Sequence, residues 1–333
     1  MKKIVSLMLI LLLAVALLSA CGGKKESVPA ETDTTANAPA AGLKIVTTVF
    51  PEYDWVRNIM GDLADGAEID MMLDTGADLH NFQPTVDDIL KINNADLFLY
   101  VGGESDKWAE DVLAQAGDKA PQTLNLMETL GAALKEEERK EGMQADAEEE
   151  EEDGPVYDEH VWLSLKNAAA LCKAISEKLA AVDGANADAY KANADAYIEK
   201  LNALDARYQA AVDAATVKTL LFGDRFPFRY LVEDYGLDYY AAFIGCSAET
   251  EASFETVRFL AGKADELGLT HVCVLESSDG RIAQTIRDNT VNKDLETVTF
   301  NSLQTTTAID VNAGADYLSV MEQNLAALQT ALS

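Results

Sequence analysis

Three histidines, His80, His160 and His271, stand in a chain of 333 residues. An imidazole can ligate a metal or move a proton near neutral pH, so so small a number narrows the search for chemistry. His80 lies in Ala77-Asp-Leu-His-Asn-Phe-Gln-Pro84, just past a predicted strand and before a predicted helix. That is the place where open α/β sheets bind ligands, at the carboxyl ends of their strands. His160 lies in Tyr157-Asp-Glu-His-Val-Trp-Leu-Ser164, at a loop-to-helix junction. His271 belongs to the apolar run Thr270-His-Val-Cys-Val-Leu275 and reads as a core or edge residue of a strand. Phosphate and nucleophile chemistry find no support. Gly102-Gly103 is not a P-loop, no GxGxxG follows a strand, no GxSxG elbow occurs, and nothing pairs either loop histidine with a serine or cysteine.

The charge restricts the partners. Against 26 Lys+Arg there are 57 Asp+Glu, a net charge of −31. Such a surface excludes nucleic-acid binding, which needs basic groups on phosphates, and any charged partner is expected to be a cation. The length suggests two domains, and 48% hydrophobic residues are ample for packed cores. Lys2 and Lys3 precede an apolar run from Ile4 to Leu18 that ends in Leu18-Ser-Ala-Cys21. This reads as a secretory leader over 1–20, too short to span a bilayer. Leu-Ser-Ala-Cys resembles a bacterial lipobox, whose cysteine is lipidated; a plain cleaved leader with an incidental Cys21 is the alternative. Residues 21–42, rich in Ser, Thr, Ala and Pro, read as a tether. Cys172, Cys246 and Cys273 show no CxxC spacing and leave one disulfide or three free thiols equally open.

The elements that must position these residues alternate. Strands are expected at Leu43–Phe50, Ala67–Leu73 and Asp96–Val101, with helices over Tyr53–Met60 and Val86–Asn94. Residues 135–159 are acidic and break the pattern, as a mobile loop would, either a solvated insertion or a weak cation collector. Helices follow over Leu163–Val182 and Ala185–Ala215. In the second, Tyr190, Ala194, Tyr197, Leu201, Leu204, Tyr208 and Ala211 form one apolar stripe. Strands at Thr219–Phe222, Tyr239–Ile244, Thr270–Leu275 and Glu296–Phe300 then alternate with helices at Phe228–Tyr235, Phe254–Leu267 and Arg281–Asp288. A last helix covers Ala315–Leu332. The fold class is therefore α/β: two βα lobes, each with a mainly parallel sheet, joined by one long helix, with a cleft between. The N-terminal lobe spans 43–184, the linking helix 185–215 and the C-terminal lobe 216–333. Phe50, Tyr53 and Trp162 are expected in the core or lining the cleft.

Leu43-Lys-Ile-Val-Thr-Thr-Val-Phe-Pro51 resembles the opening strand of the solute-binding lipoproteins of zinc and manganese ABC importers. His80-Asn-Phe-Gln-Pro-Thr85 is similar to that family's His-x-aromatic-x-Pro-Ser/Thr motif, and Asp158-Glu-His-Val-Trp-Leu163 to its Asp-Pro-His-x-Trp motif. The resemblance runs in order through residues 43–330. It implies one divalent ion in the cleft, zinc before manganese, held by His80, His160 and two ligands from the C-terminal lobe. One family ligand falls on Arg225, which has no lone pair to give, so the neighbouring Asp224 is expected instead. The last is expected at Asp279, with Glu276 as fallback. A cage of two imidazoles and two carboxylates would be neutral around a divalent ion, limiting the cost of burial. The resemblance further implies a membrane permease as partner, a lipid anchor through Cys21 on the extracytoplasmic face of a bacterial membrane, a monomer, no enzymatic activity, and release by separation of the lobes. A metallohydrolase with an open metal position and a surface adhesin are the alternatives.

Overall fold

The computed structural model describes residues 42–144, 155–247 and 251–333. The leader, Cys21, nearly all of the tether, and the centre of the acidic segment lie outside the described residues.

The first strand, β1 (Lys44–Thr47), owes its position to Ile45 and Val46, β-branched and buried on opposite faces. It ends sooner than the sequence suggests because Glu52 turns back: its Oε2 accepts from the amides of Thr48 at 2.8 Å and Val49 at 3.3 Å. The Val49 amide is one that a helix start leaves without a partner, so α1 (Phe50–Met60) begins at Phe50 rather than at Tyr53. Pro51 fits its first turn, where no amide donor is needed. The lobe continues with β2 (Glu68–Met71), α2 (Val86–Asn93), β3 (Leu97–Tyr100), α3 (Lys107–Ala116), β4 (Gln122–Asn125) and α4 (Leu126–Leu130). Its sheet is wholly parallel in the order β2-β1-β3-β4, with Ile45 opposite Ile69 on one side and Leu97 on the other.

After α5 (Leu165–Val182) and α6 (Ala187–Ala214) come β5 (Thr219–Phe226), α7 (Arg229–Tyr235), β6 (Asp238–Ile244), α8 (Phe254–Leu267), β7 (His271–Leu275), α9 (Arg281–Asn289), β8 (Glu296–Phe300), α10 (Ala308–Asn312) and α11 (Tyr317–Ala331). This second sheet is also wholly parallel, in the order β6-β5-β7-β8. Both lobes therefore follow one winding, with β6 taking in the second the place of β2 in the first. Strand β5 runs on through Gly223-Asp224-Arg225, expected as loop, and its pairing with β6 slips between Phe222 and Arg225. That slip is a bulge, which re-aims the side chains beyond it.

Helix α6 joins the lobes, its 28 residues rising about 42 Å at about 1.5 Å each. Its buried face is Tyr190, Ala194, Tyr197, Leu201, Leu204, Tyr208 and Val212. The Tyr197 hydroxyl meets Asp54 Oδ2 of α1 at 3.2 Å, and the Tyr208 hydroxyl donates to the Met321 carbonyl of α11 at 2.6 Å. One continuous apolar core runs from Trp55 and Ile59 of α1 through α5 and α6 to Leu231 of α7 and Leu328 of α11. Smaller cores cover the outer faces of the two sheets. The acidic segment is tied down at its ends, where Glu136 bridges Tyr157 antiparallel and Asp158 N donates to the Lys135 carbonyl at 3.0 Å. Phe50 and Trp162 are buried, and Tyr53 is half-buried. Among the described residues no helix is long and apolar enough to cross a membrane.

Candidate metal centre

His80 rides on a single helical turn, Leu79–Asn81, beyond the carboxyl end of β2. Asp78 caps that turn, its Oδ1 accepting from the His80 amide at 3.0 Å, while Leu79 is fully buried beneath it. His160 is fully buried at the start of the turn Val161–Leu163. Asp158 Oδ1 accepts from both its amide, at 2.8 Å, and its ring Nδ1, at 3.0 Å. A carboxylate only accepts, so Asp158 places a proton of His160 on Nδ1 and leaves Nε2 as the ring's ligating nitrogen. His80 is set the same way through an intermediary. The Ser105 hydroxyl donates to Glu159 Oε2, so toward His80 Nδ1, 2.8 Å away, it can only accept. Glu159 Oε2 is itself 3.4 Å from that nitrogen.

The two Nε2 atoms face each other 3.2 Å apart. Two acceptors at that distance repel unless a proton or a cation lies between them. Two nitrogens on one tetrahedral zinc, each at about 2.0–2.1 Å, stand about 3.3 Å apart. Metal-ligating histidines characteristically give their second nitrogen to a carboxylate, which fixes ring and tautomer. His160 does so directly, to Asp158, and His80 through the Ser105 hydroxyl, to Glu159.

A third donor joins them. The ligand atoms of His80, His160 and Cys246 all lie within 4.8 Å of one another. Cys246 follows β6 as His80 follows β2, so equivalent corners of the two lobes meet at the cleft. Gly245 allows this approach: a Cβ there would stand 3.0 Å from both His160 Cε1 and the Phe226 carbonyl oxygen. Burial pushes the Cys246 thiol well above its ordinary pKa, and the negative charges of Glu137 and Asp158 add to this. Burial would raise Glu159 too, but the bonds from His80 and Ser105 outweigh it and hold that carboxyl below its usual range. Burial, then the charge of Asp158, raises Glu137, whose Oε1 is buried without a partner.

The other residues expected as ligands are not brought into this cluster. Asp224 sits in the β5 bulge with both oxygens turned onto backbone, Oδ1 toward Arg225 N at 2.8 Å and Oδ2 toward Leu275 N at 3.2 Å. Glu276 is engaged in holding the turn after β8, accepting from Ser302 N at 2.9 Å, Ser302 Oγ at 2.7 Å and Thr305 Oγ1 at 3.0 Å. Asp279 is exposed and paired with Arg281 Nε at 2.5 Å. Asp224 and Asp279 instead line an adjoining pocket of about 430 Å³ with Asp78 and Arg225. His271 heads β7, half-buried, with its Nδ1 2.8 Å from Thr270 Oγ1. Cys172, Cys246 and Cys273 are all free. Spacing alone singled out none of these thiols; the position just past a strand end, which drew attention to His80, also marks Cys246.

Comparison with known proteins places the geometry in context. The family model described as zinc-uptake complex component A, periplasmic (ZnuA) matches residues 45–331. The zinc-binding lipoprotein AdcA of Streptococcus pneumoniae serotype 4 is 30% identical over 331 residues, covering 99% of this chain and 61% of its own. The high-affinity zinc uptake system protein ZnuA of Bacillus subtilis is 28% identical over 316 residues, covering 95% and 94%. Among solved structures, the Zn(II)-bound ZnuA-like domain of S. pneumoniae AdcA superimposes with a TM-score of 0.69 at 28% identity, over 88% of this chain and 99% of that one. The chain spans little more than half the length of the streptococcal relatives.

Proposed function

From the premise that this chain belongs to the ZnuA family of zinc-uptake components, we propose that it is the solute-binding lipoprotein of an ABC importer, which captures one Zn(II) and delivers it to a membrane permease. The relatives' names, zinc-binding lipoprotein and zinc uptake system protein, support the reading. The observation that carries it is the pair of Nε2 atoms 3.2 Å apart, the His160 ring backed by Asp158 and the His80 ring by Ser105 and Glu159. His80 and His160 supply two donors and Cys246 a third. This replaces the carboxylates expected at Asp224 and Asp279.

The exchange of ligand type has a chemical consequence. A thiolate suits zinc, whereas manganese prefers oxygen donors, so Cys246 biases the site toward zinc. Zinc with one thiolate leaves a single positive charge, offset by Asp158 and Glu159 behind the imidazoles. Three protein donors would leave room for a fourth ligand from outside this cluster. The family supports transport over hydrolysis, and Cys21 would anchor the chain to lipid on the extracytoplasmic face.

Calorimetry with Zn(II) and Mn(II) tests this. His80→Ala and His160→Ala are expected to abolish tight zinc binding, and Cys246→Asp to weaken zinc while strengthening manganese. Unchanged zinc affinity in all three variants refutes the site; unchanged metal preference in Cys246→Asp refutes the thiolate as its source.

A further inference from the structure

Arg225 occupies the place at which the resemblance puts a family ligand, yet it cannot ligate a cation. Its guanidinium reaches across the cleft. Nη1 donates to Asp78 Oδ2 of the N-terminal lobe at 2.7 Å and to the Ser247 carbonyl of its own lobe at 3.3 Å. Both partners belong to the turns that present metal donors. Asp78 holds the His80 amide through its other oxygen at 3.0 Å, and Ser247, itself buried, directly follows Cys246. The guanidinium and the Asp78 carboxylate are each about four-fifths buried, with side-chain exposures of 19% and 23%. A pair so shielded from solvent is screened far less than a surface one. The base of the guanidinium is firm, since Arg225 lies on β5, paired opposite Phe243 of β6. A second tie between the lobes holds the loop that leads into this turn, where Ala308 N donates to the Asp74 carbonyl at 2.7 Å.

We propose that Arg225 is a positioning residue for metal capture, a clamp between the lobes that fastens the turn bearing His80 to the turn bearing Cys246 and so slows release of the ion. It acts through Asp78 and Ser247 without touching the metal. Asp78 has a second duty, because it neutralises a guanidinium that would otherwise oppose an arriving cation. The inference rests on the reading of His80, His160 and Cys246 as the zinc site.

The test is stopped-flow transfer of Zn(II) from the loaded protein to a chromophoric chelator, beside entry rates and the melting temperature of the metal-free protein. Arg225→Met is expected to release zinc about tenfold faster, equivalent to about 1.4 kcal/mol, with an entry rate within about twofold of the parent. Arg225→Lys, which keeps the charge beside Asp78, should recover part of the loss. Asp78→Asn keeps an acceptor for the His80 amide but removes the counter-charge of the guanidinium. It should lose more than Arg225→Met, and adding Arg225→Met to it should bring release back to the rate of Arg225→Met alone. Unchanged release from Arg225→Met, with zinc binding still lost in His80→Ala and Cys246→Ser, overturns the clamp and leaves the site standing. Unchanged binding in His80→Ala and Cys246→Ser removes the site, and the clamp with it. A fall in metal-free melting temperature without faster release shows Arg225 to be structural only and also overturns the proposal.

Discussion

Glu52 gives the protein a stability that should decline as pH rises. Its Oε2 caps α1, taking the Thr48 and Val49 amides, but its Oε1 is buried without a partner. Burial, reinforced by the charge of Asp106, lifts its pKa from an ordinary 4.5 to about 8. In the unfolded chain the group ionises near 4.5; in the folded protein it keeps its proton until about pH 8. Between those values folding takes up a proton. The stabilisation is complete below the unfolded value and is lost as pH climbs through the folded one. Each such proton costs about 1.4 kcal/mol per pH unit, so from pH 5.5 to 7.5 Glu52 alone should remove about 2–3 kcal/mol. Asp106, raised to about 7, and Asp54, raised to about 6, both chiefly by burial, act in the same direction over the lower part of that range. Glu52→Gln keeps an oxygen for the helix cap and carries no proton to lose. Urea unfolding of metal-free protein at pH 5.5 and 7.5 should show a pH-dependent loss of stability smaller by about 2–3 kcal/mol in Glu52→Gln than in the parent. Equal losses in the two proteins would refute the reasoning.

Two further outcomes are expected. Glu159→Gln, which weakens the hold on His80 through Ser105, should lower zinc affinity by about tenfold or more while leaving the metal-free melting temperature unchanged; calorimetry and calorimetric melting read the two effects separately. Cys21→Ala should move the protein from the membrane fraction to the soluble extracytoplasmic fraction, and mass spectrometry of the parent should find a lipid at that cysteine.

The fold was legible where burial writes a pattern. Ile45, Val46 and the run Leu97–Tyr100 are buried on both faces of a parallel sheet and announce their strands. The stripe on α6 was readable because its spacing is helical, although Val212 rather than Ala211 completes the buried face. Strand β4, Gln122–Asn125, carried no signal, since only Leu124 of its four residues is buried. The site divides in the same way. His80 and His160 sit in local motifs that a sequence displays. Cys246 reaches them only because two lobes of matching order bring their equivalent strand ends together, a relation invisible along the chain. Asp224 stands outside the cluster for a local reason, because the bulge after Phe222 turns its carboxylate onto the amides of Arg225 and Leu275.

The uninterrupted apolar interior that passes through α6 also bears on how an ion captured as proposed would leave. A wide swing of one half against the other would drag Tyr190, Tyr208 and their neighbours into water, at a penalty no docking partner recovers from a few rim contacts. Unloading is therefore expected to be a small event, the lifting of two short turns at the mouth while the body behind them stays sealed. Filled and emptied molecules should then present nearly the same outline, and a permease would have to read the difference from those two turns.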